Sequence, residues 1–359
     1  PGLIDAHTHL CDNTHMDEAF DHWAYPAATF GIAGTVNART TLEAGFTTVR
    51  DVSSPFYCDV ALRDAIEAGW IEGPRMQVSG SMVTMTGGHG HWGTWIAPQH
   101  EVTTKAHTVA DGVDEVRKAV RTHIRHGVDW IKVAATGGFG TSGSIPGAAS
   151  YTVEELAAAV EEGRKRGLKV AAHAHGTEGI KNAIAAGVAS IEHGTMLDDE
   201  SLEQMEEKGV VLVMDLLAAH YELVERNRDY SDKELGASNA DEWKRYRGQF
   251  TRAHEAGVDL AFGTDAGIYP HGRNAEQFGL MVEAGLTPLE AIRTATLTAA
   301  ELLDLKDRIG RLKPGAWADL IAVDGDPLQD VSVLEQVRFV MKGGRVVKAV
   351  GDPEAGASP

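Results

Sequence analysis

The sequence predicts an α/β fold: a closed (β/α)8 TIM barrel followed by a small β appendage. Short apolar runs alternate with helical patterns over most of the chain, and these runs are rich in Val, Ile and Ala without simple polar alternation. Parallel strands that are covered on both faces have this composition. Eight such runs precede residue 310. Eight strands with helices between them fit a closed barrel better than an open sheet.

The predicted elements follow one another in a regular order. TVEELAAAVEEGRKRG (152–167) predicts a helix with Thr152 as its N-cap, Glu155 as the capping-box partner and Gly167 at its end. A long helix over 288–305 follows the last strand and is placed to close the ring. The eight predicted strands are residues 2–9, 46–52, 75–80, 129–135, 168–175, 189–194, 210–216 and 258–265.

The pattern changes after Gly310, where short β-like runs surround Gly/Pro turns. VRFVMKGGRVVKAV predicts a hairpin at Gly343–Gly344, because two glycines between such runs suit a two-residue turn. We therefore assign residues 1–310 to the barrel, 311–350 to the C-terminal part of a small β domain, and 351–359 to a flexible tail.

Charge and cysteine content limit the classes of partner. The 359 residues include 33 Lys and Arg against 52 Asp and Glu, a formal charge of −19. This field repels phosphate backbones and anionic membranes, so we expect no nucleic-acid partner and no membrane partner. No apolar run has the length of a membrane span. Cys11 and Cys58 are too few for a disulfide framework and are expected to be free thiols.

The sequence gives less information about cellular location and oligomeric state. Free thiols and the lack of a visible signal peptide favour a cytoplasmic protein. Because the chain begins inside a predicted strand, a truncated N-terminus is an open alternative, and with it a secreted or periplasmic location. Soluble oligomers are mostly assemblies of identical chains. A homo-oligomer is compatible with this sequence, although no stretch indicates an interface.

Two histidines stand at the end of the first predicted strand. His7 and His9 are two residues apart in PGLIDAHTHL, so their side chains project to the same side. The carboxyl ends of barrel strands form the active-site face, and paired neutral imidazoles there suit Zn, Mn, Fe or Ni. For an isolated His-x-His pair, two ordinary buried histidines are an equally good interpretation.

The ends of later strands favour the metal interpretation. Lys132 lies inside an apolar run, and a buried lysine must pair, lose its proton or be modified. Reaction with CO2 would convert it into a carbamate whose two oxygens can bridge two cations. Taken alone, Lys132 could instead pair with Asp129, and Asp265 could cap a helix. The residues of ligand type at these strand ends are Lys132, His173, His175, His193 and Asp265.

Together these residues resemble one enzyme family. The pattern is His-x-His, Lys, His, His and Asp on predicted strands one, four, five, six and eight, accompanied by PGLIDAHTH, AGFTTVRD, TEGIKNAIAAGVASIEHG, GTDAG and LKPGAWADLIAVDGDP. Over nearly its whole length the chain resembles the amidohydrolase superfamily in its binuclear form with a carboxylated lysine. It is most similar to the imidazolonepropionase-like branch, which includes Xaa-Pro and Xaa-Arg/Lys dipeptidases and relatives of ochratoxinase.

The resemblance implies a metal-dependent hydrolase with two divalent cations, zinc being the default. The expected reaction is attack of a metal-bridging hydroxide on an amide or peptide bond of a dipeptide or N-acyl amino acid. Asp265 would carry the proton to the leaving nitrogen. The implied ligands are His7, His9 and Asp265 for one cation and His173 and His193 for the other, bridged by N-carboxylated Lys132 and the hydroxide.

The loop TMTGGHGHWG, after the third predicted strand, offers candidates for substrate contacts. By resemblance we assign to His89 the polarisation of the scissile carbonyl, with His91 as a neighbouring binding residue. Solvent-exposed histidines in a Gly-rich loop are the alternative. His175, which the ligand set leaves over, and His271, which follows the eighth strand, are further candidates for substrate binding.

Two departures from the family pattern qualify the resemblance. Relatives often carry a tyrosine near PTL after strand seven, whereas this chain has MDLLAAHY with Asp215 at that place, so no role is assigned there and the substrate class stays open. Members also usually have a strand before the His-x-His that completes a small β-sandwich. Either the N-terminus is truncated, or residues 311–350 form an incomplete appendage, which would leave strand edges unpaired.

Two other functions are alternatives. A mononuclear hydrolase or deaminase of a cyclic or heterocyclic substrate, similar to imidazolonepropionase, generally lacks the lysine carbamate, so Lys132 argues against it. A non-catalytic metal-binding protein is an alternative of another class, since a fold alone does not give a function. The full ligand set, with Asp265 as a proton carrier, argues against that alternative.

Overall fold

Parallel strands alternate with helices in the computed structural model, which describes residues 1–12, 25–91, 108–227 and 238–350. The nine parallel strands are β1 (Leu3–Thr8), β2 (Phe46–Asp51), β3 (Arg75–Val78), β4 (Val83–Thr84), β5 (Thr108–Val109), β6 (Trp130–Ala134), β7 (Lys169–Ala174), β8 (Ser190–His193) and β9 (Val211–Val213).

Backbone pairing closes these strands into a ring. The order is β1-β2-β3 in one sheet and β5-β4-β6-β7-β8-β9 in another. Asp129 N donates to Val78 O at 2.8 Å, which joins the β6 side to β3 across the first gap. At the second gap, the segment 258–266 pairs with both β9 and β1 through isolated bridges. The predicted (β/α)8 barrel is therefore confirmed.

The eighth predicted strand, 258–265, is irregular rather than a continuous strand. Thr264 N and Asp265 N both donate to His7 O, at 3.2 and 2.8 Å, so two successive donors share one acceptor of β1. Asp265 also has a φ of +57°, outside the extended region. For these reasons the segment fills the eighth barrel position without a regular ladder.

The helices carry apolar residues into a core that is continuous with the strands. The helix that follows β6 is capped as predicted: Thr152 Oγ1 accepts from Glu155 N, and the Glu155 carboxylate accepts from Thr152 N. The α-helices are Ala27–Glu43, Cys58–Glu67, Gly112–Arg125, Val153–Arg164, Thr177–Ala186, Asp199–Lys208, Leu216–His220, Asn239–Glu255, Glu276–Glu283, Pro288–Arg293 and Ala299–Leu302.

The predicted closing helix over 288–305 is interrupted. Its middle, Thr294–Thr298, is a π turn between the α-helical pieces Pro288–Arg293 and Ala299–Leu302. Thr294 Oγ1 donates to Ala291 O and Thr296 Oγ1 donates to Ile292 O, both at 2.7 Å. Hydroxyls that bond back to carbonyls of the preceding turn bend helices, which explains why the long helix is not regular.

The C-terminal region forms a three-stranded antiparallel sheet. The predicted hairpin is confirmed, because Gly343 and Gly344 have φ values of +57° and +84°, as a two-residue turn with left-handed backbone requires. Apolar residues of this sheet pack on Leu42 of the first helix. The tail at 351–359 lies outside the described residues. The strands are β10 (Leu320–Val323), β11 (Val337–Lys342) and β12 (Arg345–Ala349).

Two expectations from composition can be compared with the structure. Cys11 and Cys58 are both buried and free, as predicted. Across the described ranges, no helix combines the length and the apolar character needed to cross a membrane.

Candidate active site

The predicted ligand residues converge at the carboxyl ends of the barrel strands. His7 Nε2 and His9 Nε2 lie 3.3 and 2.9 Å from the same carboxylate oxygen, Asp265 Oδ1. The centroid of the His193 ring lies 5.1 Å from the centroid of the His7 ring and 4.6 Å from that of the His173 ring. Two groups have possible ligand atoms within 4.8 Å of one another: His7, His193 and Asp265, and His173, His175 and His193.

Each of the four predicted ligand histidines has one ring nitrogen bound to a hydrogen-bond acceptor. In a neutral ring such a bond fixes the tautomer and leaves the other nitrogen unprotonated, as a metal ligand must be. The nitrogen left over is Nε2 in three of the rings and Nδ1 in His173. The pairs are His7 Nδ1 with Glu192 Oε2 (2.8 Å), His9 Nδ1 with Ser53 O (2.9 Å), His173 Nε2 with Gly137 O (3.1 Å) and His193 Nδ1 with Asp215 Oδ1 (2.8 Å).

Two of the predicted ligands sit on left-handed backbone. His193 has a φ of +72° and Asp265 a φ of +57°. This region is sparsely populated by residues other than glycine and costs roughly 1–3 kcal/mol. His193 directly follows Glu192 on β8, and the left-handed turn at its position lets both side chains reach the site although adjacent strand residues normally point to opposite faces.

Lys132 is buried on β6 beside these rings. Its side-chain Nζ has no hydrogen-bond partner among the described residues. Burial is the main cause that lowers its pKa from 10.5 to about 8; the Arg50 charge acts in the same direction, and Glu192 opposes it. The alternative of a pair with Asp129 is wrong, because Asp129 accepts from Arg63 Nη1 at 2.8 Å and from Val78 N at 3.0 Å.

Protonation states in the site suit a cation. Burial lowers the pKa of His193 to about 3 and the pKa of His173 well below its usual range. Burial raises the pKa of Asp265, but His7 and His9 outweigh it and hold that pKa well below its usual range. For His9, burial lowers the pKa, yet the Asp265 carboxylate raises it to about 9. Neutral imidazoles and ionised carboxylates are the ligand forms, so His9 must lose a proton when a cation binds.

His89, the residue assigned to the substrate carbonyl, lies against the predicted ligands. Its ring stacks on His173 with centroids 4.2 Å apart and planes 19° from parallel. Its Nδ1 lies 3.0 Å from Thr141 Oγ1. Burial lowers the pKa of His89 to about 3, so the ring is neutral. The structure therefore brings the Gly-rich loop to the metal-ligand cluster.

The other predicted substrate residues differ in their placement. His175 lies inside the cluster, where Nδ1 is 3.1 Å from Thr195 Oγ1 and the ring stacks on His193 with centroids 4.9 Å apart. His91 Nδ1 accepts from Gly87 N at 2.8 Å and so stabilises its own loop. His271 Nδ1 is 3.3 Å from Thr41 Oγ1 on the first helix. Substrate contact by these three histidines stays a prediction.

Sequence reasoning missed the acidic partners of the ligand histidines. Glu192 is fully buried and binds both His7 and Arg50, and Asp215 accepts from His193 and, at 2.6 Å, from Tyr246 OH. A signal existed for Glu192, because a carboxylate inside the apolar run ASIEHG needs a buried donor. Nothing in the sequence indicates which donor.

Comparison with known proteins identifies the family. The amidohydrolase family profile matches residues 1–347. The chain belongs to the amidohydrolase family. It is 35% identical over 374 residues to ochratoxinase of Aspergillus niger. The alignment covers 98% of this chain and 76% of that protein. This amidohydrolase is also 30% identical over 214 residues to the imidazolonepropionase of Cutibacterium acnes, covering 58% of this chain and 45% of the relative.

A solved structure supports the same branch of amidohydrolases. A Xaa-Pro dipeptidase with methionine bound in its active site matches with a TM-score of 0.87 and 36% identity, over 97% of this chain and 86% of that one. The predicted family and branch are thereby confirmed. The protein is an enzyme that hydrolyses amide C–N bonds, and its His and Asp clusters are candidate metal sites.

Proposed function

We propose that this amidohydrolase is a binuclear metal-dependent enzyme that releases an amino acid from a dipeptide or an N-acyl amino acid. The observation that carries the proposal is the buried Nζ of Lys132, which has no partner among the described residues, beside a cluster of imidazoles and one ionised carboxylate. A lysine without a buried partner is costly as an ammonium ion, whereas a carbamate there would complete a set of anionic and imidazole ligands.

The residues present fit two divalent cations. His7, His9 and Asp265 would hold one, and His173 and His193 the other, because each of these four rings binds a supporting acceptor through one nitrogen and turns its second nitrogen toward the cluster. As a neutral amine, Lys132 would add CO2 to Nζ and release one proton, giving a carbamate with one oxygen for each cation. Zinc is the default, since imidazole, carboxylate and oxygen ligands suit it.

The protein's own residues have separate tasks in the reaction. The cations, when bound, supply Lewis acidity that lowers the pKa of water and polarises a carbonyl. Asp265, ionised and 8% exposed, accepts a proton from the attacking water and returns it to the amide nitrogen as that nitrogen leaves. His89, neutral and stacked on His173, donates a hydrogen bond to the substrate carbonyl oxygen.

The substrate class rests on the relatives. Ochratoxinase and the Xaa-Pro dipeptidase are both similar to this chain over nearly all of its length. We infer from their names that this chain acts on an amide bond next to an amino acid.

The test combines metal analysis with a substrate panel. We expect about two metal ions per chain, release of free amino acids from some dipeptides or N-acyl amino acids, loss of this activity on chelation and recovery with zinc. One ion per chain with turnover of a heterocyclic substrate would instead indicate a mononuclear enzyme. Hydrolysis that continues unchanged after complete metal removal would overturn the proposal.

A further inference from the structure

Thr141 connects two loops that meet beside the ligand cluster. It lies in the loop after β6, is only 4% exposed, and contacts the loop that carries His89. Its Oγ1 accepts a hydrogen bond from Gly90 N at 2.9 Å and lies 3.0 Å from His89 Nδ1. Among the described residues Thr141 Oγ1 has no other hydrogen-bond partner, while the backbone carbonyl of Thr141 accepts from Ser144 N at 3.1 Å.

A count of protons decides the direction of the bond to His89. A threonine hydroxyl has one proton and two lone pairs. The Gly90 N–H already occupies one lone pair of Thr141 Oγ1, so the hydroxyl proton still needs an acceptor. A buried hydroxyl proton without an acceptor is unfavourable, and His89 Nδ1 is the acceptor within reach. The hydroxyl therefore donates, and Nδ1 of the neutral ring carries no proton.

We propose that Thr141 is a positioning residue that fixes His89 as the tautomer with its proton on Nε2. His89 then presents an N–H donor, and never a bare nitrogen, to the substrate. The group that faces it must be an acceptor, namely the carbonyl oxygen of the amide that is cleaved. This inference rests on the proposed function, because it concerns how that function's substrate is oriented.

Packing limits the movement of the His89 ring. His89 stacks on His173 on one face, at 4.2 Å between centroids. On the side of Gly138, a Cβ atom would lie 2.4 Å from His89 Nδ1 and 2.6 Å from Cε1, so only glycine leaves room for the ring. These two contacts keep His89 Nδ1 within hydrogen-bond reach of the Thr141 hydroxyl.

The kinetic test removes the hydroxyl without changing the shape of the side chain. In Thr141→Val, His89 can adopt either tautomer, so we expect kcat for amide hydrolysis to fall by about tenfold to a hundredfold, less than the roughly 10²–10³-fold cost of removing one donor to a developing oxyanion, because part of the population keeps the Nε2–H tautomer. KM should change little, and Thr141→Ser should restore most of kcat. The matched control is Thr84→Val, because the buried Thr84 hydroxyl has no partner in the described part of the chain.

A second measurement reads the tautomer directly. In zinc-loaded protein with 15N-labelled histidine, the His89 ring signals are identified by their loss in His89→Gln. We expect an unprotonated Nδ1 and a protonated Nε2 in the wild type and in Thr84→Val, and a mixture of tautomers in Thr141→Val.

The outcomes separate this inference from the proposed function. A protonated Nδ1 in the wild type, or a Thr141→Val enzyme as active as Thr84→Val, would overturn the role of Thr141. If the wild type cleaves no amide substrate, the proposed function fails, while the nitrogen shifts still report whether Thr141 sets the tautomer.

Discussion

Glu192 and Arg50 form a fully buried ion pair beneath the candidate active site. Arg50 Nη2 donates to both carboxylate oxygens of Glu192, at 2.8 and 3.0 Å, and neither side chain is exposed. Arg50 also donates to Ala6 O and Ser190 Oγ, so its position is fixed on three strands. Because Glu192 Oε2 accepts from His7 Nδ1 at 2.8 Å, this pair orients a predicted metal ligand.

Replacing Glu192 should therefore affect both folding and metal binding. In Glu192→Gln the Arg50 charge stays buried without a counter-ion, which should lower the free energy of unfolding by about 3–5 kcal/mol. The amide can also donate to His7 Nδ1 and so move the proton of His7 to Nε2, which should weaken zinc affinity by about 10- to 100-fold. Denaturant unfolding and competition with a chelator measure the two effects.

A double variant separates these effects of Glu192. Arg50→Met combined with Glu192→Met removes both buried charges, and a buried pair replaced by apolar residues often costs little stability. We expect the free energy of unfolding to recover while zinc affinity stays low, since His7 still lacks its acceptor. Wild-type zinc affinity in Glu192→Gln would show that Glu192 has no part in orienting His7.

Lys132 should determine the number of metal ions. Lys132→Ala removes the predicted carbamate, so we expect metal content to fall from about two ions per chain to about one, with nearly all activity lost. The control is Lys169→Ala on the adjacent strand β7, because the Lys169 ammonium is partly exposed and pairs with Asp304 at 2.7 Å. Unchanged metal content in Lys132→Ala would contradict the carbamate.

The pH dependence of activation should follow the amine of Lys132. Only a neutral amine adds CO2, and burial lowers the pKa of Lys132 from 10.5 to about 8. At a fixed concentration of dissolved CO2, with bicarbonate adjusted at each pH, the rate at which CO2 and zinc activate the metal-free protein should therefore rise with pH and level off above about pH 8. Samples activated at different pH values are assayed at one common pH, with zinc content measured in parallel. A rate that falls as pH rises would contradict this assignment.

A small substitution should displace His89. In Gly138→Ala the new Cβ would lie 2.4 Å from His89 Nδ1, so the ring must leave its stack on His173. A displacement of about 1 Å can cost about a hundredfold in rate, and we expect kcat to fall by that order. Gly140→Ala is the matched control, since its Cβ would lie 4.0 Å from His89 Cε1, an ordinary contact. Equal kcat values for the two variants would refute the role of Gly138.

The barrel strands and the positions of the candidate ligand residues at the strand ends were accessible from the sequence, because each is marked locally. Strands covered on both faces lack polar alternation, and the ligands stand where those runs end, as in AAHAHG and SIEHG. The predicted capping box at Thr152 and Glu155 is equally local, and it is confirmed.

The supporting contacts of the site could not be predicted, because they join residues that are far apart in the chain. Arg50 and Glu192 are 142 positions apart, and Thr141 and His89 are 52 apart, with no periodicity that relates them. The irregular eighth strand depends on the shared acceptor His7 O, which is also far from residues 264 and 265 along the sequence.

That shared acceptor links closure of the barrel to assembly of the proposed metal site. His7 O holds the amides of Thr264 and Asp265 at the seam where the last segment docks on β1, and the side chains of His7 and Asp265 meet at the same seam. Until residues 258–266 dock on β1, the proposed cation that His7, His9 and Asp265 would share lacks one of these ligands. Uptake of that cation should therefore report that the barrel has closed.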